Sequence, residues 1–227
     1  MRTLTAALAL CIVLGGCRGL SPKKEAGPPI DPLPATALAG RGDSFSDREQ
    51  IAELNRSRDW DGLLRYAQER QRRDPEGSDW GVIAGYAWLR RGDYAKASSS
   101  LSQVVRRNPE DVGAWNLLGE SQRKAGQPGL AARTLERASA IGRTSYVTFF
   151  YLGESYREAQ RLDRAIPAYR EAVRLEPEFA RGWFELGAAC VRTGDKEDVS
   201  ASLERLEKLE PALAGELKKR IAADERP

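Results

Sequence analysis

The sequence predicts an all-α protein, a superhelical solenoid of helix pairs finished by a C-terminal capping helix. Three observations carry that expectation. Small residues recur at Gly85, Gly119, Gly153 and Gly187, each 34 residues after the last, and a fixed period in this range marks stacked supersecondary units. Within each period, two apolar stripes at helical spacing flank a turn, and a proline closes most periods. The composition, 30% charged and 7% aromatic with 36 Lys+Arg against 33 Asp+Glu, suits helices whose outer faces are solvated.

Taken in order, residues 1–16 open with Arg2, run through an apolar stretch from Thr3 to Leu14 and end on Gly15-Gly16 before Cys17. A basic start, a short apolar run and small residues before a break describe a secretory leader. The run is shorter than the roughly 20 apolar residues that a membrane-spanning helix needs. Residues 17–43 hold Pro22, Pro28, Pro29, Pro32 and Pro34 among Gly, Ala and Ser. They read as a tether, with a reach of about 30 Å if it behaves as a flexible chain. Arg41-Gly42-Asp43 spells an adhesion tripeptide, which in such a linker is read as coincidence.

Residues 78–211 hold four good copies of the repeat, closed by Pro109, Arg143, Pro177 and Pro211. In the first helix of each copy, Trp115, Phe149 and Trp183 share one column, and Leu118, Leu152 and Leu186 share another. The turns Gly92-Asp93, Gly126-Gln127 and Gly194-Asp195 place a glycine where a helix ends left-handed. Second helices follow with Ala97, Ala131, Ala165 and Val199, then Leu101, Leu135, Tyr169 and Leu203. A small residue at Gly119 or Ala131 lets the two helices of a pair approach closely. Arg143 and Gln160 break the proline and glycine columns, and a longer turn at Ala140-Ile-Gly-Arg-Thr144 is expected to join the second copy to the third with a local change of curvature.

A divergent copy precedes these at 44–77, with Asp47, Gln50 and Ile51 in the aromatic, leucine and glycine columns. After it and the four good copies, residues 212–227 form the cap and tail, with Leu213, Leu217 and Ile221 on one stripe.

This pattern resembles the tetratricopeptide repeat, which implies a right-handed superhelix whose first helices line a concave face that binds proteins or peptides. Leu14-Gly15-Gly16-Cys17 resembles the lipobox of bacterial lipoproteins, which implies cleavage before Cys17 and acylation of its thiol. By the same resemblance, Arg18 after the lipidated cysteine implies sorting to the outer membrane, facing the periplasm. The layout is similar to type IV pilus pilotin lipoproteins. It is also similar to repeat lipoproteins that organise peptidoglycan enzymes or outer-membrane protein insertion.

Enzyme chemistry is poorly supplied. The chain has no histidine, which removes Ser-His and Cys-His catalysis, the usual proton shuttle and imidazole metal ligands. Of the three cysteines only Cys190 lies in the body, so no metal site and no cofactor are expected. Ser121-Gln-Arg-Lys124 spells SxxK without its KTG or SDN partners. A net charge of +3 with interleaved signs gives no nucleic-acid footprint.

Binding is the remaining class, in which a membrane-held scaffold assists assembly of an envelope machine. Columns carried over from the family place Val82, Asn116, Phe150 and Phe184 on the concave groove, then Tyr86, Glu120, Glu154 and Ala188, then Leu89, Arg123, Arg157 and Val191. The expected groove has apolar ends and a charged centre containing Phe150. Glu120 and Glu154 stand where family members that clamp a C-terminal carboxylate carry amides, so capture of an acidic tail is not expected. A glycan reading would use Trp80, Tyr86 and Trp88 as stacking surface.

Overall fold

The computed structural model describes residues 38, 41–42, 44–75, 78–141 and 145–224. Cys17 with the leader and most of the tether, Arg143 with its turn, and the last three residues lie outside them. The described residues form eleven helices: α1 Phe45–Arg56, α2 Trp60–Arg73, α3 Ser78–Arg91, α4 Tyr94–Arg107, α5 Val112–Lys124, α6 Pro128–Ser139, α7 Tyr146–Glu158, α8 Leu162–Leu175, α9 Ala180–Thr193, α10 Lys196–Leu209 and α11 Pro211–Asp224. Each odd helix packs on the even helix that follows it, and each even helix packs on the next odd one. Successive odd helices α3, α5 and α7 also touch along their lengths. That extra closeness puts the odd helices on the inner side of the curve.

The helix pairs close on the glycine column. A Cβ at Gly85 would lie 2.5 Å from Leu101, one at Gly119 2.6 Å from Leu135, and one at Gly153 2.6 Å from the Tyr169 ring. No side chain fits such a gap, so the large residue on the even helix sits directly over glycine backbone. The last copy differs. Gly187 faces Ser202 and Leu217, so the capping helix supplies the large residue. Leu203, expected in that role, is only half-buried.

The turn inside each pair repeats as strictly. Arg58, Gly92, Gly126, Gln160 and Gly194 stand at 34-residue steps, and all have positive φ (57°, 86°, 76°, 60° and 76°). At each, the following N–H donates to a carbonyl five residues back, as in Arg161 to Tyr156 at 2.8 Å and Gln127 to Gln122 at 3.0 Å. This is the bond that ends a helix in a left-handed residue. Gln160 therefore makes the same turn as its glycine counterparts; the join at Ala140–Thr144, where the change of curvature is expected, lies largely outside the described residues. The Arg143 departure has a different partner. Trp115 and Trp183 each donate an indole N–H to the carbonyl of the proline six residues earlier, Pro109 at 2.8 Å and Pro177 at 2.9 Å. The copy without the proline has Phe149 instead, which has no N–H to place.

The divergent first pair uses a polar knot where the others use an aromatic. Asp47 is buried and accepts from Tyr66 Oη at 2.6 Å, Arg70 Nη2 at 2.7 Å, and Ser44 through both Oγ and N–H. Ser44 and Asp47 form a capping box at the start of α1. Burial alone would raise the Asp47 carboxyl, but these donors hold it below its ordinary value. The same contact and burial push the Tyr66 phenol up to about 12.

Two residues expected in the tether belong to the body. Leu38 is buried within the main apolar cluster, and Arg41 pairs with Asp79 and Asp111. The absence of a periodic apolar pattern hid them, because a single leucine and an arginine paired with two distant acids need no period.

Gln160→Gly should stabilise the fold by about 1 kcal/mol, since a left-handed side-chain-bearing residue costs about 1–2 kcal/mol and glycine returns part of that as chain entropy. Gly153→Ala should destabilise it by about 1–3 kcal/mol through overpacking against Tyr169. Urea unfolding followed by circular dichroism checks both, and equal midpoints would refute the pairing.

Candidate partner-binding face

The inner face is built by α3, α5, α7 and α9, and its centre is ionic. Arg123 on α5 forks onto Glu120 with both bonds at 2.8 Å and crosses to Glu158 on α7. One period later Arg157 forks onto Glu154 at 3.1 and 3.0 Å and approaches Glu185 on α9 at 3.9 Å. Arg181 closes the row on Glu185 at 2.5 Å. The pair Glu-x-x-Arg, three residues apart on one helix, thus repeats with the period and interlocks from copy to copy. Tyr169, below the row, donates to Glu154 at 2.5 Å.

Burial sets the charge states. Desolvation alone would raise Glu154, but the Arg157 fork, with Tyr169 and Arg123, holds its carboxyl below the usual range. Glu185 goes the other way: burial and repulsion from Glu154 push it up against the attraction of Arg181 and Arg157. Two neighbouring glutamates are therefore driven apart by their surroundings.

Residues 84–145 and 151–198 match the tetratricopeptide repeat family. The chain is a tetratricopeptide-repeat protein. Its fold is similar to that of MamA residues 41–end from Desulfovibrio magneticus RS-1, with 26% identity and a TM-score of 0.60 over 76% of this chain and 93% of that one. It is also similar to YrrB, described as a TPR protein with an unusual peptide-binding site, with 20% identity and a TM-score of 0.59 over 74% of this chain and 88% of that one. In sequence, 124 residues are 28% identical to Protein O-mannosyl-transferase TMTC1 of Mus musculus, covering 53% of this chain and 13% of that protein. The chain thus spans a small part of that curated relative.

Within this tetratricopeptide body the predicted groove residues fall into two sets. Glu120, Arg123, Glu154 and Arg157 come together in the ionic row, with Arg157 the most exposed of them at 34%. Val82, Tyr86, Asn116, Phe150 and Phe184 are buried, as are Glu120, Arg123 and Glu154, which corrects the expectation of an open apolar lining. Phe150 stacks against Phe179, Tyr151 and Tyr169 at 5.0, 5.6 and 6.1 Å. Phe184 lies under the guanidinium groups of Arg220 and Arg181 at 4.7 and 5.5 Å. Tyr86 meets Trp60 edge-on at 6.0 Å and donates to Asn55 at 3.0 Å. The reason is curvature. Odd helices that touch leave little space between columns, so large residues there pack on the adjoining copy.

Sequence reasoning missed Glu158, Glu185 and Arg181, although a second Glu-Arg spacing beside the first was the available signal. What stays open at the carboxyl end is a recess of about 300 Å³ lined by Ala188, Val191, Arg192, Arg220, Ala223 and Asp224.

The other candidates have structural partners. Ser121 is fully buried and its hydroxyl donates to the Leu117 carbonyl at 2.7 Å, an arrangement Ser155 repeats with Tyr151. Cys190 is fully buried, and burial with the neighbouring Asp198 pushes its thiol up to about 12. Cys190, Asp195 and Asp198 converge within 4.8 Å, but the Arg170 guanidinium already bridges Asp195 at 2.7 Å and Asp198 at 2.5 Å. Trp80 is buried beside Arg70, and the Trp88 ring carries Arg91 and Lys96 at 4.9 and 4.5 Å. Trp80 is thus a core residue, and Trp88 is half-buried at the edge of a recess that Gln71, Lys96 and Gln103 also line.

Glu154 and Glu185 give opposite pH signatures. A depressed carboxyl adds stability above its unfolded value near 4.3 and loses it as pH falls through the folded value. A raised one favours the fold at low pH, and that contribution fades as pH climbs through its folded value. Glu154→Gln should therefore cost about 3 kcal/mol at pH 7, the lower end for breaking a buried pair because Arg157 reaches solvent. Glu185→Gln should cost far less or raise the midpoint. Thermal melts of the two variants at pH 7 and pH 4 check the order.

Proposed function

We propose that the chain is a lipid-anchored adaptor of the bacterial envelope that holds partner proteins on its inner face during assembly of a pilus- or secretion-type machine. The observation that carries this reading is the row of odd helices, which presents a continuous face of fixed charge register. YrrB, similar in fold, is described as having a peptide-binding site, which supports placing partners on this solenoid. The lipobox-like Leu14-Gly15-Gly16-Cys17 supports anchoring through Cys17, and Arg18 supports the outer membrane as destination. Among the described residues no helix is long and apolar enough to cross a membrane, so in this reading the acyl chains supply attachment. Each buried CH₂ of an acyl chain contributes about 0.8 kcal/mol, and two or more chains anchor stably.

We read the protein as a binder rather than an enzyme. Support comes from the two nucleophile candidates, Ser121 and Cys190, each held in a packing role by the contacts above.

Two measurements test the adaptor reading. Cys17→Ser should move the protein from the membrane to the soluble fraction, and retention on the membrane would refute the anchor. A photo-crosslinking residue at Arg157 or Val191 should trap partner proteins in native membranes, whereas one at Arg133, on even helix α6, should not. Equal trapping from both faces would overturn the inner-face assignment.

A further inference from the structure

Among the described residues of the predicted tether, Arg41 is held to the repeats by ion pairs. Its Nη1 donates to Asp79 Oδ1 at 2.7 Å, and its Nη2 lies 2.8 Å from both oxygens of Asp111. The partners are 38 and 70 residues away, at the amino ends of α3 and α5. Asp111 is prepared for a cation before one arrives. It is the N-cap of α5, and its Oδ1 accepts from the Ala114 N–H at 2.9 Å. Gly113 leaves room for the guanidinium, since a Cβ there would stand 3.1 Å from Arg41 Nη2. Three residues before Arg41, Leu38 is buried in the apolar cluster.

The repeat does not require these acids. Asp79 shares its column with Gly113, Val147 and Arg181, and Asp111 shares its own with Ser145 and Phe179. The acidic pair is therefore particular to the amino end of the solenoid. It presents two carboxylates to one planar fork, the geometry a guanidinium satisfies and an ammonium does not.

We propose that Asp79 and Asp111 form an arginine-reading subsite for peptides of the pattern Leu-x-x-Arg, and that this chain's own Leu38 and Arg41 occupy it as a built-in competitor. The inference rests on the reading of this solenoid as a peptide binder and adds to it the chemistry of one subsite. An attached segment competes at an effective concentration of about millimolar. A free peptide meets that competition until the segment is displaced, and only a peptide with both anchors displaces it.

The test uses a fluorescent peptide with the sequence of residues 37–42, Ala-Leu-Ala-Gly-Arg-Gly, titrated against the full-length chain. Arg41→Ala should bind it at least about tenfold more tightly than the unaltered chain, since the attached competitor is gone. Replacing arginine by alanine in the peptide should abolish binding. Asp111→Asn in the Arg41→Ala background should do the same while keeping the helix cap, because asparagine caps as well as aspartate. If Arg41→Ala does not fold, Arg41→Lys gives the same comparison through an ammonium that cannot fork. No gain of affinity on removing Arg41, or binding that survives Asp111→Asn, would overturn the proposal and leave Arg41 a structural staple. Partners that still crosslink to the inner face while the peptide is ignored would remove this inference alone and leave the adaptor reading in place.

Discussion

The structure depends on the contact between a glycine on α3, α5 and α7 and a large side chain on the even helix that follows. Leu101, Leu135 and the Tyr169 ring each sit on glycine backbone in these three pairs. Because that contact recurs every 34 residues, the transform from one pair to the next is also repeated, and stacked repeats depend on neighbours alone. The ionic row follows from this. Glu120–Arg123 and Glu154–Arg157 are local pairs that any helix could hold, but Arg123 meets Glu158 and Arg157 nears Glu185 only when successive odd helices lie in register. Tyr169 joins the two layers, since the ring that covers Gly153 also donates its hydroxyl to Glu154.

Most of the fold was legible because it is written several times. A column such as Gly85, Gly119, Gly153 and Gly187 survives the loss of any one member, and the turn survived Gln160 and Arg58, which take the same positive φ. A glycine column marks a left-handed turn, but the turn is imposed by helix closure and other residues can be forced into it. The divergent first pair shows the same substitution of means. Asp47 replaces an aromatic by gathering Tyr66, Arg70 and Ser44, a solution that no hydrophobic pattern records.

The site was legible only in part, for two physical reasons. Column position tells which side of a helix a residue occupies, but it does not tell how tightly the solenoid curves. Phe150 and Phe184 were on the expected side, and curvature buried them. Arg41 was hidden for the opposite cause. Its ion pairs with Asp79 and Asp111 span 38 and 70 residues, and such isolated long-range pairs leave no trace in spacing or composition.

The charge on the inner face also constrains what can use it. Its groups are arginines and glutamates, and the chain has no histidine, so no side chain of ordinary pKa changes charge between about pH 5 and 8. Burial and repulsion from Glu154 push the Glu185 carboxyl up, against the attraction of Arg181 and Arg157. Because the row is internally paired, a partner of one sign gains little by approaching it as a whole. It must offer charges at the spacing of the repeats, displacing one arm of a fork while supplying another. Charge complementarity of that kind contributes more to specificity and orientation than to affinity. In the adaptor reading, a face of this design selects by register, through charges that ionic strength screens.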